Sequence, residues 1–360
     1  MFSGKHVTSV IAVALFIFAF AFQAVAQEPN LDAPVVADPN GDLHLNPHHE
    51  VTKDGVPAYK TVVEDWSNLH VGKSQLTPRE PVFGMTGGTD DFTRTLMQVQ
   101  WRPGDPIDLY IVLPKNVKNP PAVIYLYGHD EDTDRFKDDR WCARVTSGGV
   151  AAIGFVSALS GQRFHDRPMK QTFVSELQES IGSTVHDVKF ILDYLAQRGE
   201  VDMSRIGMFG QGSGGTIAIL AAVADPRVKV VDALDPWGYW PGWVAKSSVV
   251  ADDPNKADYQ KPAFLRKVAP LDPVKWLPQL KTAKLRVMQP MDAAPVPRIC
   301  KNQIKLAMPK SAELKRFDTV TEMMSENGGG VLFMWVKDHV KGLPPGNAVA
   351  ETKPAPKSAE

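Results

Sequence analysis

Arg205-Ile-Gly-Met-Phe-Gly-Gln-Gly-Ser-Gly-Gly-Thr-Ile-Ala-Ile-Leu-Ala-Ala222 runs from a short apolar strand, through a cluster of glycines, into an alanine-rich helix. A chain reversing that sharply leaves no room for side chains two residues before and two residues after the apex. With the apex at position 212 both flanks are glycine, Gly210 and Gly214; with the apex at Ser213 the flanks are Gln211 and Gly215. Steric reasoning therefore places the apex at Gly212. A residue carrying a Cβ occupies the sparsely allowed backbone region of such a turn at a cost of roughly 1–3 kcal/mol, whereas glycine enters it with little penalty.

On either side of this stretch strands and helices alternate. Phe92–Trp101 and Ile107–Leu113 flank a Pro/Gly turn and read as an antiparallel pair, and Ala122–Tyr127 is a continuous apolar run of the kind buried on both faces of a sheet. Gly149–Val156, Asp202–Phe209, Val228–Leu234, Lys284–Met288 and about Leu314–Val320 read as further strands. Ser183–Leu195 carries Val185, Val188, Ile191, Leu192 and Leu195 on one helical face, and a last helix is expected from Val331 to about Lys341. This alternation predicts an α/β fold with a mostly parallel central sheet, antiparallel at its start.

Together with the glycine turn, the pattern resembles the α/β-hydrolases over roughly residues 90 to 342, and the turn resembles their Gly-x-Ser-x-Gly nucleophile elbow. Acetyl-esterase, dienelactone-hydrolase and prolyl-oligopeptidase-like members are the nearest in character. The resemblance implies a nucleophile at position 212, where this chain has glycine. It implies an oxyanion loop at Tyr127-Gly128-His129, which reads equally as a plain strand-end turn, and further backbone donors around Gln211, Gly212 and Gly214. It implies an acid at Asp292, after Lys284–Met288, or at Asp235. It also implies a histidine after the last strand, where Thr321–Asn327 has none. His339, the one histidine beyond that strand, falls on a helical stripe with Leu332, Trp335, Val336 and Val340. An active serine esterase would have to use Ser213 with Asp292 or Asp235 and a base from His339, His129 or His165. A fold that has lost this chemistry and binds a small, partly apolar ligand or a partner is the reading the two departures favour.

Trp237, Tyr239, Trp240 and Trp243 open a cap expected at about 237–280, either lining a ligand pocket or forming the cap's own core. His44, His48, His49 and Glu50 resemble metal ligands but sit in the expected arm, and Asp130, Asp132 and Asp134 alternate like a calcium loop without its Gly and distal Glu, so no metal or cofactor is expected. Cys142 and Cys300 are the only cysteines, and sequence leaves their pairing open. A formal net charge of −1 without a long basic run gives no reason to expect a nucleic-acid partner.

The start of the chain reads as a signal peptide over residues 1–26. Lys5 and His6 precede an apolar run from about Ile11 to Phe22, and Ala24-Val25-Ala26 forms a cleavage site before Gln27. The mature protein is then expected to be periplasmic or secreted, with no membrane attachment. Residues 27–88, rich in Pro, Asp, Asn and Gly, read as an extended, partly disordered arm. The hydrolase-like domain is placed at 89–342, and a Pro/Ala/Lys tail closes the chain at 343–360.

Overall fold

A computed structural model describes residues 81–101, 106–128, 133–158, 177–282 and 284–346. Nine strands form one sheet: β1 Val82–Gly88, β2 Phe92–Val99, β3 Ile107–Pro114, β4 Ala122–Leu126, β5 Ala151–Phe155, β6 Ile206–Gln211, β7 Val228–Leu234, β8 Lys284–Pro290 and β9 Glu313–Phe317. Their order across the sheet is β1-β2-β3-β5-β4-β6-β7-β8-β9. The pairs β1–β2, β2–β3 and β3–β5 are antiparallel, and every pair from β5–β4 to β8–β9 is parallel.

The sheet begins earlier than the sequence pattern places it. Val82–Gly88, expected to belong to the arm, is the edge strand β1. All seven of its residues are exposed, so no face is buried to impose the alternation by which strands are recognised. Residues 1–80, with the signal and most of the arm, and the tail from 347 lie outside the described residues. So do His44, His48, His49, Glu50, Asp130 and Asp132. Among the described residues no cluster of ligating side chains could hold a metal ion, and no helix is long and apolar enough to cross a membrane.

Ten helices complete the described fold: α1 Asp139–Thr146, α2 Leu177–Arg198, α3 Ser213–Ala224, α4 Trp240–Lys246, α5 Lys256–Tyr259, α6 Pro262–Val268, α7 Pro273–Trp276, α8 Arg298–Ala307, α9 Val320–Asn327 and α10 Met334–Lys341. One core layer joins Trp141, Cys142 and Val145 of α1 to Val336 and Val340 of α10. The other joins the apolar stripe of α2, Ile217–Leu220 of α3, and the cap indoles. The α1 crossover thus leaves β4 on one face and the α2 crossover leaves β5 on the other. This reversal falls at the carboxyl ends of β4 and β6, the place where open α/β sheets carry their ligands. Gly128 follows β4 and Gly212 follows β6, so both stand at those ends.

Two further differences from the sequence-based expectation have local causes. The final helix starts at Met334 rather than Val331, because Gly329 and Gly330 take φ of 63° and 98° within a preceding 3-10 turn over Gly328–Phe333. Cys142 and Cys300 are both free and buried, one in each core layer, so the sheet separates them.

Candidate active site

Gly212 stands between β6 and α3 with φ 56° and ψ −120°. A Cβ at Gly210 would lie 2.2 Å from Gly214 O, and one at Gly214 would lie 2.5 Å from Leu126 O and 2.6 Å from Tyr127 O. Main chain is the obstacle at both flanks and cannot yield, so glycine is required at these two positions. A Cβ at Gly212 itself would meet Trp237 Nε1 at 3.3 Å and Gly128 Cα at 3.8 Å. A side chain there would be tight but not excluded, and the strain would lie in φ. Hydrogen bonds fix the turn: Gly212 N–H donates to Leu234 O at 2.8 Å, Thr216 N–H donates to Gly212 O at 3.2 Å, and Thr216 Oγ1 donates to Trp237 O at 2.7 Å.

Ser213 is the first residue of α3. It is 1% exposed, and its hydroxyl has no hydrogen-bond partner among the described residues, so no imidazole there reaches it. Asp292 is exposed just beyond β8, and its Oδ1 accepts from Val320 N–H at 2.8 Å. It therefore holds the β9–α9 loop by main chain, in the place where the resemblance puts a histidine. His339 is elsewhere. Its Nδ1 lies 2.8 Å from Trp335 O and its ring stacks on Trp335 at 4.1 Å. The neighbouring Val340 packs against Gly207 near the start of β6, about 16 Å down the strand from Gly212 at roughly 3.3 Å per residue. Ser213, Asp292 and His339 do not converge, and His129 and His165 lie outside the described residues.

No family model matches the chain. Among curated proteins it is similar to "Putative hydrolase YtaP" of Bacillus subtilis, 31% identical over 137 residues. That match covers 34% of this chain and 45% of the relative, so the chain spans under half the length of the curated protein it matches. Among solved structures it is similar to acetyl xylan esterase 1 from Thermoanaerobacterium sp. JW/SL YS485, at TM-score 0.60 and 16% identity over 76% of this chain and 92% of that one. It is similar too to an acetyl xylan esterase from Paenibacillus sp. R4, at TM-score 0.55 and 18% identity over 70% and 84%. The chain has the α/β-hydrolase fold.

Within that α/β-hydrolase frame Gly212 stands at the sharp turn between β6 and α3, where the sequence pattern places the apex. Of the cap aromatics, Trp240 and Trp243 are 1% and 0% exposed and pack edge to face at 5.7 Å, with Trp237 on Trp243 at 4.7 Å. Trp240 and Trp243 offer no surface to a ligand and form the cap's own core. Trp237 is the one that crosses the elbow. Tyr239, at φ 56°, starts α4 and lays its ring against Gly242.

Sequence reasoning missed two charged residues that build this region. Asp272 is largely buried, and its carboxylate accepts from Tyr239 N–H (2.9 Å), Trp240 N–H (3.0 Å) and Val274 N–H (3.0 Å), so one side chain caps both α4 and α7. The Asp272-Pro273 pair before a helix was the available signal. Lys301, fully buried on α8, donates to Pro290 O and to Ala293 O at 3.1 Å, with Nζ 3.5 Å from Asp235 Oδ1. Asp235 itself sits at φ 44°, and its Oδ1 makes no hydrogen bond. Burial pushes its carboxyl up to about 7, against the opposing pull of Lys301, and burial lowers Lys301 from the usual lysine range. Nothing in an isolated lysine of an amphipathic helix announces that it faces inward.

Proposed function

We propose that this protein is an exported α/β-hydrolase-fold protein that does not carry out serine-hydrolase chemistry and acts by binding a small ligand or a partner. The observation that carries the reading is the elbow: glycine holds the strained apex, and the adjacent hydroxyl, Ser213, is buried without a base among the described residues. A serine hydroxyl is a poor nucleophile near neutral pH unless an imidazole or similar base takes its proton. Asp292, one of the two acids expected to orient that base, accepts the Val320 N–H through Oδ1, and no imidazole among the described residues joins it to Ser213. Export rests on the basic start, the apolar run and the Ala24-Val25-Ala26 site ahead of Gln27.

Binding in this reading rests on the main-chain N–H groups at the start of α3, which suit an electronegative group of a small, partly apolar ligand. Release of p-nitrophenol from p-nitrophenyl acetate tests the loss of chemistry. Parent and Ser213→Ala should show the same rate, near that of an equal mass of unrelated protein. Turnover by the parent that is lost in Ser213→Ala would overturn the proposal.

A further inference from the structure

A cavity of about 370 Å³ opens between the cap and the loop that follows β8. Its charged lining is Lys246, Lys256, Arg298 and Asp292, with Ser247 and Ser248 beside them, and neither Gly212 nor Trp237 contributes. Both walls are held in place. Ser247 Oγ donates to Pro295 O at 2.7 Å and Ser248 N–H to Ala294 O at 3.3 Å, tying cap to loop. The loop is also fixed from behind, by Lys301 on Pro290 O and Ala293 O, by Arg298 Nε on Met291 O at 3.2 Å, and by Asp292 Oδ1 on Val320 N–H.

These bonds occupy much of the loop's main chain and leave side-chain groups over. Among the described residues neither Lys246 nor Lys256 has an acidic partner within 4.0 Å, and the Arg298 guanidinium engages only Nε, on a carbonyl. Asp292 keeps Oδ2 and Ser248 keeps its hydroxyl. Three cations against one carboxylate leave two uncompensated positive charges around a preformed cleft of ligand-binding size. Arginine and lysine together suit a phosphate or a carboxylate, while Asp292 Oδ2 and the Ser248 hydroxyl suit the hydroxyls of a polyol.

We propose that this cleft binds a small hydroxylated dianion, a sugar phosphate or a sugar dicarboxylate. The site is independent of the elbow, because it shares neither Gly212 nor Ser213 with it; a chain that proved to hydrolyse esters would present the same cleft.

Calorimetric titration of the full chain with glucose 6-phosphate, glucarate and glucose tests it. At least one dianion should bind saturably while glucose gives no heat, and which one binds tells phosphate from dicarboxylate. The Lys246→Gln/Lys256→Gln variant should bind at least about tenfold more weakly, about 1.4 kcal/mol, and melt at the parent's temperature. Should that variant fail to fold, raising the ionic strength must weaken binding by the parent, since charges at an open cleft are screened by salt. No saturable binding of either dianion, glucose binding as tightly as its phosphate, undiminished affinity in the folded variant, or affinity indifferent to salt would each overturn the proposal.

Discussion

At Gly212 the relief of backbone strain and the proposed loss of chemistry come from the same residue. A nucleophilic side chain justifies its strain only if it reacts, and glycine at φ 56°, ψ −120° relieves the strain while giving up the oxygen. The contacts rank the substitutions. Gly214→Ala drives a Cβ into Leu126 O and Tyr127 O and should cost about 3 kcal/mol. Gly212→Ala should cost about 1–3 kcal/mol, through φ and the Trp237 contact. Ser213→Ala removes a buried hydroxyl that has no partner and should be neutral or stabilising by up to about 1 kcal/mol. Urea denaturation orders the three, and Ser213→Ala as the most damaging would show that the register is wrong. The sharp turn at Gly212 was legible in the sequence, because steric exclusion at two flanking glycines is a local property. The packing of Trp237 over the apex was not, since it depends on where the cap folds back.

Among the elements, the cap depends on one carboxylate more than on its short helices. α4 and α7 have seven and four residues, too short to persist without capping and packing. Asp272 serves both N-termini, and burial raises its pKa against the pull of the three N–H donors. Asp272→Ala should lower stability by about 2 kcal/mol and shift the emission of the Trp237–Trp240–Trp243 cluster. An unchanged spectrum and unchanged unfolding midpoint would contradict this. Elements with a buried face were readable: the interior strands from β2 onward and the stripe of α2 stood out by period. The edge strand β1, exposed throughout, gave no such pattern. The start of α10 was misplaced because two glycines at positive φ interrupt a stretch whose apolar spacing alone continues.

Over the whole molecule, buried charge sets the response to pH. Burial raises Asp232 to about 6, despite its bidentate Arg286 partner, and Asp235 to about 7. Between about pH 4, where unfolded carboxylates ionise, and 7 the folded chain retains protons the unfolded chain has released. Stability therefore falls as pH rises through that window. Burial has the opposite effect on the lysines, bringing Lys337 down to about 8 and lowering Lys301. Above about pH 8 the unfolded chain holds more protons than the folded one, and stability rises again toward the ordinary lysine range. Melting temperature should pass through a minimum near pH 7–8, and Asp235→Asn should shrink its acid-side fall. A melting temperature that climbs steadily from pH 5 to 8 would rule this out.

On the proposed reading, in which the turn at Gly212 holds no activated nucleophile, the protein should not react with a fluorophosphonate, a probe that captures activated serines. The folded protein is treated with the reagent beside a Ser213→Ala control and a known serine esterase. No labelling of the parent is expected in a sample that melts cooperatively, while the esterase labels fully. Labelling of the parent that vanishes in Ser213→Ala would show instead that Ser213 is activated and that Gly212 is not the catalytic apex.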